Sequence, residues 1–292
     1  MLLDHKANFY LIDKPSNYTS QDICTIIKRK YGFNKVGHSG TLDPLATGLL
    51  IIATNSYTKL LTYIIQMNKC YEFVAKFGYQ SDSGDVDSDL HVTDKRFVIK
   101  EHILNENLKK FIGDIEQKPP IYSAVKVKGK RLYKYARENK TVDIPKRKVH
   151  IKSLTLNKII NNNEAAFTVT CSKGTYVRSL VQDLGKSIGT NAVVKELRRT
   201  KIENISVKGL VDFEAIIANS EYKLEPIAYS NILTMASIQV DEKELKNIGN
   251  GNLLDGTKFP NDEECLVIHN DKVIAMYKKL NNSYYKPLKV LI

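Results

Sequence analysis

Cysteine is scarce and scattered. The 292-residue chain has four, Cys24, Cys70, Cys171 and Cys265, and none stands in a Cys-x-x-Cys spacing. That pattern argues against a zinc site or a disulfide framework and leaves reduced, mostly buried thiols. Long apolar runs are also missing. The strongest, Leu49–Ala53, is far too short to cross a bilayer, so no membrane is expected as a partner. The N-terminus, Met-Leu-Leu-Asp-His-Lys, has no apolar signal core, and a cytoplasmic protein is expected. There is no internal repeat, no Ser/His/Asp set and no helix-turn-helix signal, and the Asp43 loop is not a phosphate loop, since it lacks Gly-Lys-Ser/Thr. Asp82, Asp85, Asp87 and Asp89 cluster, but Leu90 and Arg96 stand where a calcium loop would need Gly and Glu. No metal is expected, and the cluster reads as a solvated loop that positions one carboxylate.

What the chain does have is positive charge in one place. The formal net charge is +12, and Lys118–Lys152 holds twelve Lys/Arg against Glu138 and Asp143. From Ser230 to Ile292 eight basic residues balance eight acidic ones. A localised basic stretch is the footprint of a polyanion partner; a solvated Lys-rich loop is the alternative. Tyrosines and small residues interleaved with the charges favour the partner.

Residues 37–48 read Gly-His-Ser-Gly-Thr-Leu-Asp-Pro-Leu-Ala-Thr-Gly. Pro44 biases Asp43 away from helical geometry, and the glycines permit tight turning. The segment predicts a stiff loop presenting His38 and Asp43 and leading into a buried strand, Leu49–Thr54. A carboxylate held this way serves as a nucleophile or general base, or simply caps a turn. Arg178 follows Cys-Ser-Lys-Gly in the first turn of a predicted helix. It reads as a surface arginine or, if it faces Asp43, as a counter-ion that keeps the carboxylate ionised. Tyr71 heads an apolar strand and reads as a core or edge aromatic.

The remaining pattern alternates strands and helices. Strands are predicted at Asn8–Asp13, Tyr71–Phe77, Val149–Ile160 and Ala165–Cys171. Helices are predicted from Ser20 as cap to Tyr31, over Ser56–Met67, Lys100–Phe111 and Thr175–Ile188, and from an Asn191 cap through Arg198. Arg131–Glu138 suggests a short helix inside the basic stretch. A composition shift near Glu221–Ser230 marks a boundary, and the tail beyond reads as short strands with Gly-rich turns. The order points to an α+β architecture.

Taken in order, Asp13-Lys-Pro, the 37–48 block, Lys69-Cys-Tyr71, Gln117-Lys-Pro-Pro-Ile-Tyr-Ser-Ala, Tyr133-Lys-Tyr-Ala-Arg and Cys171-Ser-Lys-Gly-Thr-Tyr-Val-Arg-Ser-Leu resemble the bacterial TruB-type tRNA pseudouridine synthases, which act on uridine 55 of the TΨC loop. The resemblance spans about residues 8–200. It implies a pseudouridine-synthase fold: a central mixed, largely antiparallel sheet flanked by helices, a basic thumb at about 118–152, and a small mostly-β PUA-like domain. It also implies a catalytic domain over 1–229 and an RNA-binding tail over 230–292. By the same resemblance Asp43 is the catalytic carboxylate, Tyr71 stacks on the target base, Arg178 pairs with Asp43, and Lys14 lies near the site. His38 props open the tRNA loop, and Asp85 moves on RNA binding. Lys126, Lys128, Lys130, Arg131 and Lys173 join the RNA-binding set. Asn17 stands where the family usually has Gly, and Asn tolerates positive φ better than most residues.

The implied partner is the T arm of tRNA, with no protein partner, and a monomer is expected. The target uridine must leave its stack, at a cost of a few kcal/mol that an aromatic face offsets by about 1–3 kcal/mol. Uracil then detaches from C1′, rotates and rejoins through C5. No hydride, phosphoryl or acyl group moves, so no cofactor is expected. Asp43 attacks the sugar, adds to the ring or takes the C2′ proton; sequence leaves all three open. A tRNA-binding folding chaperone with incidental or lost catalysis is the alternative from another class.

Overall fold

Thr19, one residue ahead of the predicted cap, starts the first helix, Ser20–Tyr31. Its hydroxyl accepts from the Asp22 N–H (3.1 Å), and the Asp22 carboxylate accepts from the Thr19 N–H (2.9 Å), a reciprocal capping box. Gly32 ends the helix in the left-handed conformation. Ser20 is thereby released from capping and bonds Leu42 instead.

The computed structural model describes residues 6–292, so the reading of the first residues, Met1–His5, lies outside them. Two compact units are present, divided differently from a cut at residue 229. One comprises Met1–Asp43, Leu50–Ile65 and Lys208–Ile292; the other comprises Pro44–Leu49 and Gln66–Val207.

In the first unit the strand Phe9–Lys14 pairs in parallel with Val211–Asp212, and Val36–His38 pairs antiparallel with the end of Thr47–Thr54. Ile23, Cys24 and Ile27 of the first helix pack with Tyr10, Ile12, Leu50, Ile52 and Phe213. Asn17 does take positive φ, at 67°. The tail forms a five-stranded sheet in the order Ser237–Gln239, Glu264–His269, Lys272–Lys279, Tyr284–Val290, Leu254–Asp255. It closes its own core, in which Phe259 stacks on Tyr285 at 3.9 Å. A short helix, Leu245–Gly249, interrupts what the sequence reads as turns.

In the second unit Ala192–Ile202 pairs in parallel with Thr47 and Gly48 and antiparallel with Lys69–Phe77. Antiparallel neighbours Glu164–Cys171, Arg147–Asn161 and Gly113–Gln117 follow. The result is the mixed, largely antiparallel sheet expected. The helix predicted through Arg198 is the clear correction, because those residues lie inside the strand Ala192–Ile202. β-Branched Val193, Val194, Thr200 and Ile202 suit a pleated surface, and pairing on both edges overrides a helix cap at Asn191. The helices at Glu101–Leu108 and Val177–Ser187 form as predicted, and the 56–67 segment starts as a 3₁₀ helix before Leu61–Gln66. Cys24, Cys171 and Cys265 are buried; desolvation pushes the Cys24 thiol up to about 12 and Cys171 to about 11, which suits inert core thiols.

Candidate active site

The Asp43 loop is stapled at both ends. The Ser39 N–H donates to Ile51 O (2.9 Å), and the Ser39 hydroxyl accepts from the Ile51 N–H (3.1 Å). At the other end the Ser20 hydroxyl accepts from the Leu42 N–H (2.9 Å), with the Leu42 side chain buried. Asp43 comes next, half-buried. His38, also half-buried, ends the strand Val36–His38, and its Nδ1 accepts from the Gly40 N–H (3.3 Å). Beyond the loop, Gly48 has φ 99°, and a Cβ there would sit 2.4 Å from the Arg199 carbonyl oxygen. Only glycine lets these two strands approach so closely.

Lys14 is fully buried and turned inward. Its Nζ donates to the carbonyls of Pro15 (2.7 Å) and Tyr18 (2.6 Å), closing the turn that contains Asn17.

Arg178 is the second residue of the helix Val177–Ser187 and is buried. Nη1 donates to Ser83 O (2.8 Å) and lies 3.8 Å from Asp85 Oδ2, while Nη2 donates to Tyr122 O (2.9 Å). Of the four clustered aspartates only Asp85 is buried. Its carboxylate accepts from the Ser83 hydroxyl and the Asp87 N–H. Backbone hydrogen bonds between Gly84, Val86 and Val194 tie this loop to the sheet. The structure therefore brings Arg178 and Asp85 together.

The basic stretch is a folded element. Lys126–Val127 and Lys130–Arg131 form a hairpin whose turn, Lys128-Gly129, has positive φ at both residues (50° and 79°), as a type I′ turn requires. Val125, Leu132 and Ile144 form its small core. Its root is tied to the start of the Arg178 helix: Gln117 exchanges two hydrogen bonds with the Tyr176 backbone (2.7 and 3.0 Å), and the Ser179 hydroxyl donates to Lys118 O (2.7 Å). Lys126, Lys128 and Arg131 are exposed, whereas Lys130 pairs with Glu138 at 2.5 Å and lies over the Tyr135 ring. Lys173 is exposed and donates to Gln66 Oε1.

Tyr71 is the third residue of Lys69–Phe77 and half-buried, opposite Val169 on one side and Arg199 on the other. Arg199 escapes the sequence reading because it lies just past the expected Asn191–Arg198 helix, where no strand is expected. The alternation of Leu197 and Arg199 in a β-branched stretch is the signal that identifies it. Lys69, nearby, is buried; desolvation first, then the Arg199 charge, lower its pKa to about 8. The unfolded chain keeps that proton to about 10.5, so between these values it binds more protons than the folded state. Stability contributed through Lys69 therefore rises with pH across that window. Urea unfolding of wild type and Lys69→Met is expected to show their difference moving in favour of wild type from pH 8 upwards. A pH-independent difference refutes the assignment.

The family model described as "TruB family pseudouridylate synthase (N terminal domain)" matches residues 28–177. The chain is 36% identical to the tRNA pseudouridine synthase B of Mesoplasma florum over 97% of each chain. It is 40% identical to that of Malacoplasma penetrans over 72% of this chain and 91% of the other. Among solved structures, the crystal structure of a Cbf5-Nop10-Gar1 complex aligns with TM-score 0.71 at 20% identity, covering 98% of this chain and 85% of that one, a likeness of fold.

Proposed function

The chain belongs to the TruB family of pseudouridylate synthases and isomerises uridine to pseudouridine in tRNA, and from that premise we propose that its target is uridine 55 in the TΨC loop, with Asp43 as the catalytic carboxylate. The observation that carries this reading is the stapled loop: Ser39 and Ser20 fix both ends of a segment that leaves Asp43 half-buried just before Pro44. Tyr71 offers the flipped base a stacking face, His38 fills the gap the uridine leaves, and Arg178 holds the Asp43 carboxylate ionised. The reaction breaks N1–C1′ and forms C5–C1′; C5 loses a proton and N1 gains one, so the product is an isomer and no redox partner is consumed. Lys14 supports the site by fixing the Pro15–Tyr18 turn. Asp85 orients Arg178, and residues 230–292 act as a second, PUA-like RNA-binding domain, a reading supported by that segment's separate core. The protein acts as a cytoplasmic monomer. Pseudouridine mapping on an unmodified tRNA transcript tests the assignment. One T-loop uridine is converted; conversion elsewhere overturns position 55.

The thumb supplies the phosphate contacts. Neutralising Lys126, Lys128 and Arg131 is expected to weaken tRNA binding and flatten its salt dependence, by roughly 0.7–0.9 in log–log slope for each lost contact. Lys130 and Lys173 add to this surface with part of their capacity already engaged by Glu138 and Gln66. Binding titrations across a salt series measure the slope, and an unchanged slope identifies the stretch as solvated surface only.

A further inference from the structure

A stacking tyrosine is useful only if its ring is held at one angle. Tyr71 has two side-chain torsions and remains partly exposed. Directly opposite it across the antiparallel pair stands Arg199, whose side chain is 1% exposed. The guanidinium hydrogen-bonds the Tyr71 hydroxyl, and its Nε donates to Leu49 O at 2.7 Å. The Arg199 backbone is in register with Gly48, where the missing Cβ allows the close approach. One residue thus joins the strand that leaves the Asp43 loop to the tip of the Tyr71 ring. The pairing slips immediately afterwards: Arg199 faces Tyr71, Lys201 faces Cys70, and Thr200 is the extra residue of a bulge. Bulges re-aim side chains and recur beside active sites.

Burying a guanidinium is costly. Desolvation pushes its pKa down, and the Tyr71 hydroxyl pulls it back up. A neutral amide would satisfy the Leu49 carbonyl as well. What only the planar fork provides is two acceptors served at a fixed angle. The donor is the guanidinium and the acceptor is the phenol oxygen, so the phenol keeps its own proton for another partner.

We propose that Arg199 is a positioning residue for the reaction: it fixes the angle of the Tyr71 ring against the strand that follows the catalytic loop. The inference rests on Tyr71 being the residue that stacks on the target base. Arg199 touches no substrate, so its loss acts on the rate at saturation and leaves tRNA affinity nearly intact.

The experiment uses the full chain labelled with 3-fluorotyrosine, the Tyr71 signal being the one absent in Tyr71→Phe. In Arg199→Gln that fluorine resonance is expected to shift or broaden while the others stay. Single-turnover conversion at saturating tRNA is expected to fall on the order of 10²-fold, as a displaced group costs, with Kd for tRNA within about threefold of wild type. An unmoved Tyr71 resonance overturns the proposal. So does a moved resonance with an unchanged rate, or a loss that resides wholly in Kd. If Arg199→Gln does not fold, Arg199→Lys keeps the charge and one of the two hydrogen bonds; the same resonance is expected to shift, with a smaller loss of rate, and an unmoved resonance overturns the proposal equally. Failure here leaves T-loop conversion by the wild type standing, whereas failure of the T-loop mapping removes the proposed target whatever Arg199 does.

Discussion

Asp43→Asn is expected to abolish pseudouridine formation while tRNA still binds. The substitution keeps shape and removes only the ionisable oxygen. Attack at C1′, addition to the ring and removal of the C2′ proton all need an ionised carboxylate, so the expectation does not depend on which route operates. The fall in single-turnover rate is expected to exceed about 10³-fold, equivalent to about 4 kcal/mol of barrier. The hydrogen bonds that hold the loop run through Ser39 and Ser20 and are untouched by the change. Affinity for tRNA is therefore expected to stay within about threefold, since the proposed phosphate contacts lie in the basic thumb and not at Asp43. Filter binding and pseudouridine mapping on the same transcript separate the two effects. Equal conversion by the variant would sink the assignment of Asp43. A wild type that binds tRNA and converts no uridine would instead favour a folding chaperone.

Much of this was legible because local chemistry and tertiary demand agree. The 37–48 block reads as a stiff loop, and the structure staples it. Apolar residues at helical spacing after Thr175 give the helix that places Arg178. The turn at Asn161–Asn163 joins two strands of opposite direction. Misreadings arose where the deciding partner is distant in sequence. Asn191 has the chemistry of a cap, but Ala192–Ile202 is drawn into the sheet by neighbours more than a hundred residues earlier. Ser20 resembles a cap, but a residue in a remote loop claims its hydroxyl. The same distance hid Arg199, whose partners are Leu49 and Tyr71. It also hid the carbonyls of Ser83 and Tyr122, which no side-chain pattern announces. Lys130 shows the limit of counting charge, since a hairpin cation and an exposed one look alike until Glu138 folds back.

Removing Arg178 is expected to damage both catalysis and stability, and a second substitution separates the two. Arg178→Met keeps much of the stem and deletes the guanidinium. Three acceptors then lose a donor: Ser83 O, Tyr122 O and the buried Asp85 carboxylate. Breaking a buried pair by removing one partner typically costs about 3–5 kcal/mol. Here the separation is a loose 3.8 Å, and the Ser83 hydroxyl and Asp87 N–H still serve Asp85. The expected loss is therefore at or just below the lower end of that range, about 2–3 kcal/mol by urea unfolding. On the proposed role of Arg178 as counter-ion to Asp43, activity is expected to fall by at least about 10²-fold. Arg178→Lys is not expected to rescue it, since one ammonium cannot reach carbonyls on the 83 and 122 segments together. Adding Asp85→Asn to Arg178→Met removes the stranded charge and is expected to recover stability. Activity is expected to stay lost if Arg178 serves Asp43, as proposed, as well as Asp85. Recovery of both would reduce Arg178 to a partner for Asp85, with its helix and the thumb root of Gln117 and Ser179 as the whole of its role.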